Sequence, residues 1–99
     1  MKKKKINWKH PVFEKIYIDN IGKCMITGNF IPLDSVINWN YHHIEPKSTH
    51  PELMYDEKNI VFCETWMHTH LENMTKEKYH KLVKLYPKLK LYFDINKLK

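Results

Sequence analysis

Two adjacent histidines, His42 and His43, stand near the end of a β-forming segment and restrict what the chain can build around them. Successive strand residues point to opposite faces, so only one of the two rings can face a given site squarely. Val36, Ile37, Trp39, Tyr41 and Ile44 give Ser35 to Ile44 the character of a strand, and Pro46 ends it because proline cannot donate to a ladder. After a loop through His50-Pro51 come Asp56-Glu57-Lys58-Asn59, the apolar run Ile60-Val61-Phe62-Cys63, and a helical segment bearing His68 and His70. The implied order is strand, loop, strand, helix, with Asn59 opening the second strand.

The rest of the chain falls around this unit. Pro11 suits the first position of a helix, Phe13, Ile16 and Tyr17 share one face, and Gly22 is placed to end it in a left-handed conformation. Lys23-Cys24-Met25-Ile26 and Phe30-Ile31-Pro32 flank Thr27-Gly28-Asn29, which reads as a tight hairpin. Glu64 and Thr65 are candidate caps for the helix in which Met67, Leu71 and Met74 face the core, while His68 and Glu72 share another face one turn apart. A further helix begins near Thr75, with Tyr79, Leu82, Val83 and Tyr86 as its apolar stripe and Pro87 as its stop. Residues 88 to 99 fit either an alternating strand or a helix. Residues 1 to 9 read as a basic flexible tail and residues 10 to 99 as one domain.

Between residues 22 and 75 the chain resembles the HNH endonucleases. The resemblance rests on the His42-His43 pair, Asn59, and His68 nine residues later, with Cys24-Met25-Ile26-Thr27-Gly28 and His50-Pro51-Glu52-Leu53 as flanking phrases. It implies an α+β fold with a ββα-metal (His-Me finger) core, an N-terminal helix, a small hairpin and a C-terminal helix. In many relatives the hairpin is a zinc knuckle with two Cys-x-x-Cys pairs. Here Thr27 and Trp66 stand where the partners of Cys24 and Cys63 would be, so no structural zinc is expected, and Cys24, Cys63, Trp66 and Ile26 are expected to pack together instead.

The resemblance also implies a chemistry, metal-dependent hydrolysis of DNA phosphodiester bonds by nicking or double-strand cleavage. His43 matches the general base, whose ordinary pKa near ~6.5 lets a neutral imidazole take a proton from water. Asn59 matches the residue that ties the loop together through side-chain to backbone bonds. His42 and His68 match the ligands of one divalent metal. The relatives' further histidine ligand falls at Glu72, so either Glu72 or water completes the shell. His70, two residues past His68, should point away from it. Availability favours Mg²⁺, and the imidazole-rich donor set favours Mn²⁺, Ni²⁺ or Zn²⁺.

The net charge of +6 arises from 17 lysines without a single arginine, a balance suited to an anionic partner such as the DNA phosphate backbone. Lys47, Lys58, Lys76 and His70 are the candidate contacts. The face of the last helix that carries Lys76, Lys78, Lys81 and Lys84 serves equally as a solvated surface, and His10, His50 and His80 read as ordinary packed or surface residues. Trp39 and Trp66 are expected in the core. The lysines at the start are not followed by an apolar core, so no signal peptide is expected, and no run approaches the ~20 apolar residues of a membrane span. The expected location is the cytoplasm, for a bacteriophage product the host's, with two reduced cysteines. The competing reading is a non-catalytic ββα module that binds nucleic acid or serves as an accessory or inhibitor.

Overall fold

The computed structural model describes residues 8–98. Most of the basic tail expected over residues 1 to 9 lies outside them. Of the rest, Trp8 is packed rather than free, half-buried with its ring 6.2 Å from that of Tyr17. The protein is α+β, with three α-helices and a two-stranded antiparallel ribbon among the described residues.

Helix α1 (Pro11–Asp19) has proline at its first turn, and the Nδ1 of His10 caps it by accepting the Val12 N–H at 3.1 Å. It buries Ile16 and lays Phe13 and Tyr17 against the core. The helix ends at Asp19, earlier than Gly22, because the chain reverses through two consecutive left-handed residues, Ile21 at φ 54° and Gly22 at φ 68°. A Cβ on Gly22 would come within 2.7 Å of the Tyr17 hydroxyl, so no other residue fits there without displacement.

The expected hairpin is a single antiparallel bridge, Lys23 to Phe30, closed by a turn rather than by a ladder. Inside the turn the Cys24 Sγ accepts the N–H groups of Ile26 at 3.4 Å and Thr27 at 3.3 Å. Met25 N–H donates to Phe62 O at 2.8 Å, which seats the turn on the second strand. Thr27 Oγ1 and Asn29 Nδ2 donate to the Glu64 carboxylate at 2.6 and 3.2 Å. Glu64 stands at the N-cap of the next helix but makes no side-chain cap bond there, since this clamp occupies it.

Strands β1 (Tyr41–His43) and β2 (Ile60–Phe62) pair in the register Tyr41 with Phe62, His42 with Val61 and His43 with Ile60. The segment expected as a strand from Ser35 onward pairs as a strand only over β1. Short 3-10 turns occupy Leu33–Ser35 and Asn38–Asn40, because the buried Asn40 side chain satisfies the backbone that a ladder would otherwise pair. Its Oδ1 accepts the Ile37 N–H at 2.8 Å and its Nδ2 donates to Cys63 O at 2.9 Å. Asn59 does not open β2 but closes the 3-10 turn Glu57–Asn59 just before it. Ile60, Val61, Phe62 and Cys63 are all buried, as a strand covered on both faces requires.

Helix α2 (Thr65–Glu72) turns Met67, His68 and Leu71 inward. That phase carries Trp66 outward, so it is 41% exposed and does not join the buried Cys24, Ile26 and Cys63. Trp39, also expected in the core, is 53% exposed because it sits on a turn rather than in a strand. Helix α3 (Lys76–Leu85) starts where Thr75 Oγ1 accepts the Lys78 N–H at 3.2 Å, and buries Tyr79. Beyond it the chain is neither strand nor α-helix. It continues as 3-10 turns at Pro87–Leu91 and Ile95–Lys97, with Leu89 fully buried as an anchor. No helix among the described residues is long and apolar enough to cross a membrane.

Candidate metal centre and its cleft

The β1–β2–α2 unit brings His42, His68 and Glu72 together. β1 packs against α2, and the alternation of β1 turns His42 toward that helix, where its ring centroid lies 5.3 Å from that of His68. Glu72, one helical turn beyond His68, sets a carboxylate oxygen 2.9 Å from His68 Nε2. One donor atom from each of the three residues lies within 4.8 Å of the others. Such a group can hold a metal ion.

The donors are chemically prepared for a cation. Burial, reinforced by the neighbouring His68 and then His43, lowers the pKa of His42 to about 4, so its imidazole is neutral near pH 7 and offers a lone pair. The carbonyl of Trp39 lies 2.6 Å from His68 Nδ1 and can only accept, which assigns a proton to Nδ1 and directs Nε2 toward Glu72. Two imidazoles and a carboxylate make a mixed nitrogen and oxygen set that suits Mn²⁺, Ni²⁺ or Zn²⁺. All three residues line one open cleft of about 660 Å³, so a ligand or water has access beside them.

His43 projects to the other side of β1, and its Nε2 donates to Met54 O at 2.8 Å. The second ring nitrogen is thereby left with the lone pair. Burial holds the pKa of His43 below its ordinary value, with the Met54 hydrogen bond acting against the shift and Lys47 and His68 adding to it. His43 lines the same cleft as the metal group.

Met54 belongs to the loop between the strands, and Asn59 holds that loop closed. Its Oδ1 accepts the Glu45 N–H at 2.8 Å, and its Nδ2 donates to Glu45 O and Leu53 O, each at 3.2 Å. The buried side chain therefore joins the exit of β1 to the residue before Met54. We expect Asn59→Ala to lower stability by about 1 to 3 kcal/mol, as partly buried backbone groups lose their partners, read as a shift of the urea unfolding midpoint.

The lowered His42 pKa also predicts a pH dependence in metal-free protein. The unfolded chain takes up the proton at the ordinary value of 6.5, whereas the folded chain resists until about 4. Stability is thus fully present above pH 6.5 and is lost as pH falls through that window, by up to about 3 kcal/mol. Urea midpoints measured in EDTA across this range should show the slope. His42→Leu should flatten part of it, and His43, shifted in the same direction, should retain the rest.

The other candidates are more dispersed. Lys47 lines the cleft. Lys58 is exposed in the turn before β2, and Lys76 is exposed at the start of α3. His70 is half-buried, with its ring 6.1 Å from Trp66, and is not among the residues lining the cleft. Sequence reasoning missed the two carbonyls, of Trp39 and Met54, that orient the rings, because a main-chain oxygen has no residue code. It also missed Asn40, for which its position just before the histidine strand was the available signal. Comparison of the chain with family models, with curated proteins and with solved structures finds no match.

Proposed function

We propose that the chain is a metal-dependent HNH-type endonuclease that hydrolyses DNA phosphodiester bonds, with a ββα-metal core formed by β1, β2 and α2. One observation carries this reading. The strand turns the adjacent His42 and His43 apart, His42 toward His68 and Glu72 and His43 toward the carbonyl that orients it, and both line one cleft.

Phosphodiester hydrolysis needs an activated water, stabilisation of charge on the phosphoryl group and help for the leaving oxygen. His43 takes the water's proton on the ring nitrogen that Met54 O does not engage, and that carbonyl stabilises the resulting imidazolium. His42, His68 and Glu72 would hold the divalent cation, which when bound acts as a Lewis acid toward the phosphate and leaving oxygens. Lys47, on the cleft wall beside His43, adds positive charge where a phosphate would lie. Asn59 does not touch the substrate in this scheme. It positions the loop whose carbonyl orients the base.

The test is conversion of supercoiled plasmid by purified protein in EDTA or with Mg²⁺, Mn²⁺, Ni²⁺ or Zn²⁺. Cleavage that appears with metal and is absent in EDTA is the expected result. Failure with every metal on plasmid and on single-stranded DNA alike, in protein shown to be folded by circular dichroism, would sink the enzyme reading and leave the non-catalytic binding module.

A further inference from the structure

The cleft does not end at His43. On its far side lies a smaller recess of about 180 Å³, and the two spaces share Asn38, Tyr41, His43 and Lys47 in their walls. The recess is bounded by the aromatic rings of Phe13 and Tyr55 and by Met54, with Lys9 at its edge, and among the described residues no carboxylate lines it. Its aromatic wall is held in place before anything binds. The His10 ring stacks on Tyr55 at 4.0 Å and 9° between planes, Phe13 meets Tyr55 edge-on at 6.1 Å, and Tyr41 Oη donates to Phe13 O at 2.8 Å.

Tyr55 nevertheless remains 45% exposed, and Trp39, which lines the adjoining cleft beside His68, is 53% exposed. Exposed aromatic rings in the recess and in the adjoining cleft, with Lys47 in the wall that the two share, match the chemistry of unpaired nucleotides. Bases stack on the rings and the backbone meets the positive charge. A paired duplex keeps its bases stacked inside and presents sugar and phosphate, for which a recess walled by Phe13, Met54 and Tyr55 offers little.

We infer that the recess receives an unpaired base and Trp39 stacks on another, so that the substrate is DNA that is single-stranded or locally unpaired across His43. The assignment of cleavage to His43 belongs to the function proposed above, whereas the base recess stands on its own geometry and is tested without cleavage.

The test uses the full chain in EDTA with oligonucleotides carrying 2-aminopurine, as a single strand and as a perfect duplex of the same sequence. The single strand is expected to bind about tenfold more tightly, with quenching of the 2-aminopurine emission on stacking. Tyr55→Ala and Trp39→Ala should each lose about tenfold of that affinity, and Tyr55→Phe, which retains the ring, should keep both affinity and quenching. Circular dichroism of each variant confirms folding, and Tyr55→Phe serves even where Tyr55→Ala unfolds. Equal affinity for duplex and single strand, or quenching unchanged in Tyr55→Ala, would overturn the recess assignment, and metal-dependent cleavage of duplex plasmid would then leave the nuclease standing. Selective binding of single strands without cleavage under any metal would support the recess and sink the nuclease.

Discussion

His43→Ala is expected to reduce metal-dependent plasmid cleavage by about 10²- to 10⁴-fold, the range associated with losing a positioned general base. Metal affinity should stay near that of the parent protein, because His43 is not one of the His42, His68 and Glu72 group and its Nε2 is engaged by Met54 O. The fold should also persist, since His43 is only partly buried and its ring makes one hydrogen bond. The same assignment sets the acidic limb of the rate profile. The pKa of His43 is held below its ordinary value, so the neutral base is depleted only as pH falls beneath the usual histidine range. Cleavage should rise with pH and level off before neutrality, and the limb should vanish in His43→Ala. Cleavage by His43→Ala at the parent rate would remove His43 from the role of base.

His68→Ala is expected to abolish stoichiometric binding of Mn²⁺ or Zn²⁺ in a calorimetric titration, together with the cleavage that depends on it. The loss in affinity should be at least about 100-fold, since removing a partner outside the ligand set already costs about 10- to 100-fold. The substitution also strips the Trp39 carbonyl of its partner at 2.6 Å, so a modest loss of stability accompanies it. His68→Gln, which can still donate to that carbonyl, separates the two effects. It should recover stability while binding metal far more weakly than histidine does. Metal binding unchanged in both variants would mean that the cation, where one binds, sits elsewhere. The contrast between the two histidines would be the sharper result, because His43 is expected to govern turnover without affinity and His68 to govern affinity first.

Much of this arrangement was legible in the residues and their intervals. The alternation of a strand was enough to assign His42 and His43 to opposite faces, and a helical turn was enough to place Glu72 beside His68. The role of Asn59 as a loop tie was implied by the resemblance to the HNH endonucleases, and its three bonds to Glu45 and Leu53 have that form. Other features depended on what lies across the fold. β1 is short because Asn40 reaches Cys63, a residue distant in the chain, and sequence periodicity does not encode such a meeting. Trp39 and Trp66 looked like core residues on hydrophobicity alone, but a tryptophan is buried only where a neighbour covers it, and the phase of α2 leaves Trp66 outside. The recess beside His43 was invisible for the same reason, because Phe13 and Tyr55 meet only after α1 folds back on the loop.

Two of the three rings in the proposed chemistry are oriented by main-chain oxygens, His68 by Trp39 O and His43 by Met54 O. A side-chain substitution at position 39 or 54 cannot delete those acceptors. The residue at each position is therefore free to vary without changing which nitrogen of either histidine carries the proton, provided the backbone path survives. In Trp39 the two halves of one residue are separated by task, its carbonyl serving the protein and its indole left to serve whatever enters the cleft. Selection could then retune what the cleft grips by exchanging that indole, while the proton inventory of the site passed unchanged from one variant to the next.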